Sequence, residues 1–124
     1  MNGKCLECYE NITLKADSCY KKNNYSEAAV LYSSAFRLNG NKGKVKHRLN
    51  AACCFIKLND FDSAFENLNK VVFGTKFSNL SEITSNNCYK PLQKDERWMK
   101  LIDGINKNLE EIEQKIKIED PIDQ

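Results

Sequence analysis

The sequence predicts an all-helical fold built from helix–turn–helix units, and three observations carry that prediction. No segment sustains the alternate-residue hydrophobic pattern of a half-buried strand. Pro stands only at positions 91 and 121, and Gly occurs five times, so little interrupts long helices. The chain also repeats itself 36 residues on: Cys19-Tyr20-Lys21-Lys22-Asn23-Asn24-Tyr25-Ser26-Glu27-Ala28-Ala29 parallels Phe55-Ile56-Lys57-Leu58-Asn59-Asp60-Phe61-Asp62-Ser63-Ala64-Phe65.

Apolar residues three and four apart mark each helix. Residues 9–22 form the first, with Ile12, Ala16, Cys19 and Tyr20 on one face. Residues 26–38 form the second, around Ala28, Ala29, Leu31, Tyr32, Ala35 and Phe36. Ser26 is placed to cap it by accepting from a free first-turn amide. Asn39-Gly40 ends it, because both residues tolerate left-handed backbone angles. Residues 44–58 form the third helix, around Leu49, Ala51, Ala52, Phe55 and Ile56, and Asn59-Asp60 marks a turn. Residues 61–73 form the fourth, around Phe61, Ala64, Phe65, Leu68, Val71 and Val72, with Gly74 closing it. Residues 75–93 read as irregular, with short helical turns near 80–84 and 86–92. A last helix covers 95–117, with Asp95 near its start, where a carboxylate suits the helix dipole. Residues 1–8 read as a tail, 9–118 as one domain, and 119–124 as a frayed end.

Length and composition bound the function classes. A chain of 124 residues fits one domain with a modest core. Hydrophobic residues at 41% and charged residues at 29% exclude wholesale disorder. No apolar run approaches the roughly 18 residues a membrane-spanning helix needs. Residues 1–10 lack the apolar core of a signal peptide, so the expected setting is cytoplasmic, with export the alternative for a chain given without its signal. The net charge of +2 is too small to indicate nucleic acid. Residues 1–80 carry 12 Lys/Arg against 7 Asp/Glu, and residues 81–124 carry 7 against 10, so a basic first part precedes an acidic end. Six cysteines stand at 5, 8, 19, 53, 54 and 88. Three of them fall at packed helical positions, and reduced thiols are the simpler expectation.

The repeat has a physical reason. Antiparallel helices approach closest where side chains are small, so Ala16 pairs with Ala28 and, 36 residues on, Ala52 with Ala64. Tyr25 and Phe61 open each second helix; Tyr32 matches Leu68 and Ala35 matches Val71. This pattern over residues 9–73 resembles the tetratricopeptide repeat, a helix–turn–helix unit of about 34 residues. The resemblance implies a right-handed superhelix of two repeats, about 9–40 and 44–74, a degenerate third repeat in the linker 75–93, and a long capping helix. Gly40 stands where many repeats have Pro, and the family's early Trp is absent. Asn50-Ala51-Ala52-Cys53, Tyr89-Lys90-Pro91-Leu92 and Asp95-Glu96-Arg97-Trp98 are similar to small bacterial proteins of this type. That likeness implies Trp98 as a core anchor.

The resemblance also implies where a partner binds. The first helix of each pair lines a concave groove, which places Thr13, Asp17, Tyr20 and Lys21 on one inner helix. Lys46, Leu49, Asn50, Cys53 and Lys57 fall on the other. Asn50 matches the Asn with which some relatives clamp the acidic tails of chaperones. Thr13 and Asp17 stand where that clamp needs Lys and Asn, and an Asp repels a carboxylate. Another peptide or protein segment is therefore the expected partner.

Three further features bear on function. Lys42, Lys44, Lys46, His47 and Arg48 form a basic stretch that reads as a solvated loop and helix start. Cys5-Leu6-Glu7-Cys8 has metal or redox spacing, but zinc needs about four ligands and no second such pair exists, so no metal or cofactor is expected. In the last helix Ile102, Ile105, Leu109, Ile112 and Ile116 follow a 3-4-3-4 seam with flanking charges of mixed sign. That helix either caps the repeats or joins two copies into a homodimer. No glycine-rich phosphate loop and no nucleophile–base pattern is present, so the expected function is non-enzymatic binding, with a structural or dimerising scaffold the first alternative and a Cys-dependent metal or redox protein the second.

Overall fold

The computed structural model describes residues 6–119. The tail residues 1–5, including Cys5, and the end 120–124 lie outside the described residues. Six α-helices follow in order: α1 Leu6–Lys21, α2 Tyr25–Leu38, α3 Val45–Lys57, α4 Phe61–Thr75, α5 Leu80–Thr84 and α6 Arg97–Glu119. A 3₁₀ helix, Asn87–Lys94, lies between α5 and α6. The protein is all-helical, and no described helix is long and apolar enough to cross a membrane. Helix α1 starts at Leu6, three residues before the spacing predicts, so residues 6–8 are helical instead of tail. The chain divides into two compact units, one running to Leu68 and the other from Asn69. The division falls inside α4, where the sequence gives no boundary.

In the first unit the 36-residue repeat reappears as geometry. After α1, Asn23 takes φ 62°, and after α3, Asn59 takes φ 61°. Asn24 N–H then donates back to Cys19 O, and Asp60 N–H to Phe55 O, each at 2.8 Å. Asn23 N–H reaches Tyr20 O at 3.0 Å and Asn59 N–H reaches Ile56 O at 2.9 Å. These paired bonds satisfy carbonyls that a helix end otherwise leaves open. The following residue caps the next helix in both copies. Asn24 Oδ1 accepts from Glu27 N–H at 3.4 Å, and Asp60 Oδ1 accepts from Ser63 N–H at 3.1 Å. The cap of α2 is thus Asn24 instead of Ser26, because Asn24 is the residue that leaves the left-handed turn with its side chain facing the free amides. Helix α2 ends as its Asn39-Gly40 pair predicts, with Gly40 at φ 68° and Asn41 N–H donating to Phe36 O at 2.8 Å.

Small residues sit where the helices meet. Ala16, Ala28, Ala52 and Ala64 are all fully buried. Around Ala16 and Ala28 pack Tyr9, Tyr32, Phe36, Ala51 and Cys54, joined by the half-buried Ile12, Cys19, Tyr20 and Phe55. Gly43 belongs to this packing, since a Cβ there would lie 2.4 Å from the Phe36 ring.

The second unit is held by apolar contacts. Val71, Val72, Ile83, Tyr89, Leu92, Leu101 and Ile105 are buried, as is Trp98 at 7% exposure. Gly104 lies so close to the end of α4 that a Cβ would come within 3.0 Å of Val72 Cγ1. Asn108 Nδ2 donates to Val72 O and Phe77 O, both at 2.8 Å, and so satisfies carbonyls at the end of α4. Gly74 does not close α4. The helix continues to Thr75, and Lys76 takes the left-handed conformation instead, at φ 61°. At the head of α6, Asp95 Oδ1 accepts from Arg97 N–H at 2.9 Å, and the Arg97 guanidinium grips both carboxylate oxygens. Those bonds hold the Asp95 carboxyl down to about 2.

Candidate functional site

The first unit contains a chain of polar side chains that crosses α1, α2 and α3. It begins at the head of α3, where Lys44 N–H donates to the Tyr9 hydroxyl at 2.8 Å. That hydroxyl lies 2.6 Å from His47 Nδ1. With one lone pair facing Lys44, its hydrogen is free for Nδ1, which leaves the imidazole hydrogen on Nε2. His47 Nε2 faces Asp17 Oδ2 at 3.9 Å. The other Asp17 oxygen accepts from the Tyr32 hydroxyl, and Tyr32 in turn accepts from Asn50 Nδ2 at 3.2 Å.

Burial sets the charge states. Desolvation pushes the His47 pKa below its ordinary 6.5, against the pull of Asp17, and Lys46 and Lys44 lower it further. Desolvation raises the Tyr32 phenol, and its bond to Asp17 raises it more. Tyr9 is raised by burial, against its bond to the Lys44 amide. Both phenols therefore stay neutral, and so does the imidazole at neutral pH. Asp17, with 31% of its side chain exposed, and the half-buried Asn50 are where this chain meets the surface.

The predicted groove residues separate into two groups. Asp17, Tyr20 and Asn50 are half-buried, and Lys21, Lys46 and Lys57 are exposed. Asp17 and Asn50 share the Tyr32 hydroxyl. Tyr20 meets Tyr25 edge-on at 6.0 Å, and Lys57 Nζ lies 5.8 Å from the Tyr25 ring centre. The other three are withdrawn from solvent and line no open groove. Thr13 is 3% exposed, its hydroxyl turned back onto Tyr9 O at 2.9 Å. Leu49 is packed at 5% exposure. Cys53 is buried and disulfide-bonded.

The basic stretch is not one solvated face. Lys42, Lys44 and Lys46 are exposed, but His47 and Arg48 are buried. Arg48 donates to Asn67 Oδ1 and Asn41 O, each at 3.0 Å, and its guanidinium lies 4.1 Å from the Phe36 ring centre. Two neutral acceptors and an aromatic face thus replace its water. The α6 seam also divides. Ile105 is fully buried in its own unit, whereas Leu109, Ile112 and Ile116 are 37%, 40% and 60% exposed.

The cysteines differ from the reduced state expected. Cys8, Cys53 and Cys88 are disulfide-bonded, while Cys19 and Cys54 are free. A disulfide sulfur is not a thiolate ligand, so Cys8 in this state holds no metal. The fold and this strip define an all-helical protein of helix–turn–helix units with a polar, partly open face. Comparison with family models, with curated proteins and with solved structures gives no match.

Proposed function

We propose that the chain is a non-catalytic binding module of the tetratricopeptide kind, which holds a peptide or protein segment along the face of α1 and α3. The observation that supports this reading is the fixing of Asp17 and Asn50 by one shared hydroxyl, that of Tyr32. A carboxylate and an amide held this way bind backbone amides and side-chain donors without first losing rotamer freedom. Lys21, Lys46 and Lys57 flank them and favour a segment that also carries acidic groups. The cofactor requirement in this reading is none, and the partner is neither nucleic acid nor membrane.

Peptides selected from a random displayed library against the intact chain test the proposal. Affinity should fall at least tenfold in Asn50→Ala and in Lys57→Glu, and stay unchanged in Leu14→Ser, which lies outside the strip and is exposed. Equal binding to all variants rejects the reading.

The exposed half of the α6 seam favours a second reading, in which Leu109, Ile112 and Ile116 join two copies. Sedimentation velocity separates the two. Ile112→Asp abolishes a concentration-dependent dimer if the seam forms it and changes nothing otherwise.

The disulfide-bonded Cys8, Cys53 and Cys88 favour an oxidising setting over the cytoplasm. Alkylation of the denatured, unreduced protein from its native source should label Cys19 and Cys54 and spare those three. Labelling of Cys53 and Cys88 would place the protein in a reducing compartment.

A further inference from the structure

His47 is the single histidine of the chain, and it lies inside the core with Nδ1 against the Tyr9 hydroxyl and Nε2 facing Asp17 at 3.9 Å. We propose that His47 is a proton-operated latch: its protonation expels the Tyr9 hydroxyl hydrogen from Nδ1 and draws the Asp17 carboxylate toward Nε2, against its bond to Tyr32, so that acid reshapes the Asp17–Asn50 pair. The consequence for a ligand rests on the binding reading above; the latch itself does not.

The chemistry follows from donor counting. Neutral His47 accepts at Nδ1 from Tyr9 O–H, while Tyr9 accepts from Lys44 N–H. Imidazolium has a hydrogen on each nitrogen and accepts nothing. Two hydrogens then face each other across 2.6 Å, and the Tyr9 hydrogen must turn away inside the core. On the other side, the new positive charge stands 3.9 Å from Asp17 Oδ2. Asp17 is the group that gains from that charge, and closing the 3.9 Å gap with Oδ2 turns the same carboxylate whose Oδ1 holds the Tyr32 hydroxyl. Tyr32 also carries Asn50, so a turn of that carboxylate reaches the amide.

The other groups facing the ring are few. From α1 they are Tyr9 and Asp17, with the Tyr9 ring centre 5.4 Å away. From α2 it is Tyr32, at 5.9 Å. Lys44 and Lys46, beside it in sequence, oppose its protonation, and Arg48 is a further cation one residue on. Only Asp17 favours the charged ring, and burial outweighs it.

The sign of the pH dependence is fixed by the lowered pKa of folded His47. The unfolded chain binds the proton first, so the contribution of His47 to stability is complete above pH 6.5 and is lost as pH falls through the lowered folded value. The test uses the intact oxidised chain without any ligand. Proton resonances of the one imidazole, the Asn50 side-chain amide and the Tyr32 ring are followed from pH 8 downward. The expected result is an imidazole midpoint below 6.5, with the Asn50 and Tyr32 signals moving at that same midpoint.

Tyr9→Phe removes the hydrogen that meets Nδ1 and should move the imidazole midpoint upward. His47→Gln should abolish the movement of Asn50 above the carboxylate range. If His47→Gln does not fold, Tyr9→Phe decides alone. An Asn50 signal that stays still through the imidazole step, or a midpoint unmoved in Tyr9→Phe, overturns the latch. Loss of peptide binding with these titrations intact overturns the binding reading instead.

Discussion

The two compact units solve the same problem with different chemistry. Among the described residues, the buried polar side chains Thr13, His47, Arg48 and Asn67 all belong to the first unit. The second unit is closed by Ile83, Tyr89, Leu92, Trp98, Leu101 and Ile105, and then leaves the far half of α6 uncovered. Hydrogen bonds are directional and apolar contact is not, so the buried polar strip constrains how α1, α2 and α3 meet, whereas the second unit adds directional bonds at its margin, through Asn108.

The largest expected effect breaks the apolar side of that contrast. Trp98→Ala should cost about 3–5 kcal/mol in urea unfolding, because a buried indole leaves a cavity its neighbours cannot fill. A loss near zero would mean that the head of α6 does not dock. On the polar side, Arg48→Met keeps the stem but leaves the buried Asn67 Oδ1 without a donor, at about 1–3 kcal/mol, and frees the part-buried Asn41 O to take water instead. Thermal unfolding that matches wild type would show Asn67 Oδ1 to be wetted as well.

Smaller effects sharpen the comparison within the repeat. Asn59→Val places a branched side chain at φ 61° and should cost about 1–2 kcal/mol, and Asn23→Val should cost the same within error. Unequal costs would show that the two turns are not equivalent. Lys76→Ala should change stability by no more than about 1 kcal/mol. Its ion pair with Glu111, 2.9 Å long, is more than half exposed on both sides, and the substitution keeps the left-handed backbone strain the same.

The order of helices, the 36-residue repeat and the turn at Asn59-Asp60 were all legible, because turn chemistry and apolar spacing are local. The buried state of His47 and Arg48 was not. In sequence they continue a run of lysines, and charge in a run reads as solvated. Helical phase was the missed signal: His47 lies four residues before Ala51 and Arg48 four before Ala52, on the face those alanines bury. The seam of α6 failed for another reason. Its 3-4 spacing continues without change from Ile105, which is covered, to Ile116, which is not, and spacing says nothing about where a partner ends. The family resemblance puts Cys53 in the groove by its register, and register does not report a sulfur–sulfur bond.

The neighbour of that bonded Cys53 has a consequence for chain repair. Cys54 is a free thiol one residue away, and burial pushes its pKa up to about 12. Disulfide exchange needs the thiolate, and burial keeps Cys54 in its thiol form at neutral pH. While the helix is folded, the molecule thus carries its own scrambling reagent in an inert form. Opening α3 restores an ordinary thiol beside an oxidised one, so errors of pairing become correctable in the unfolded chain and frozen in the finished one.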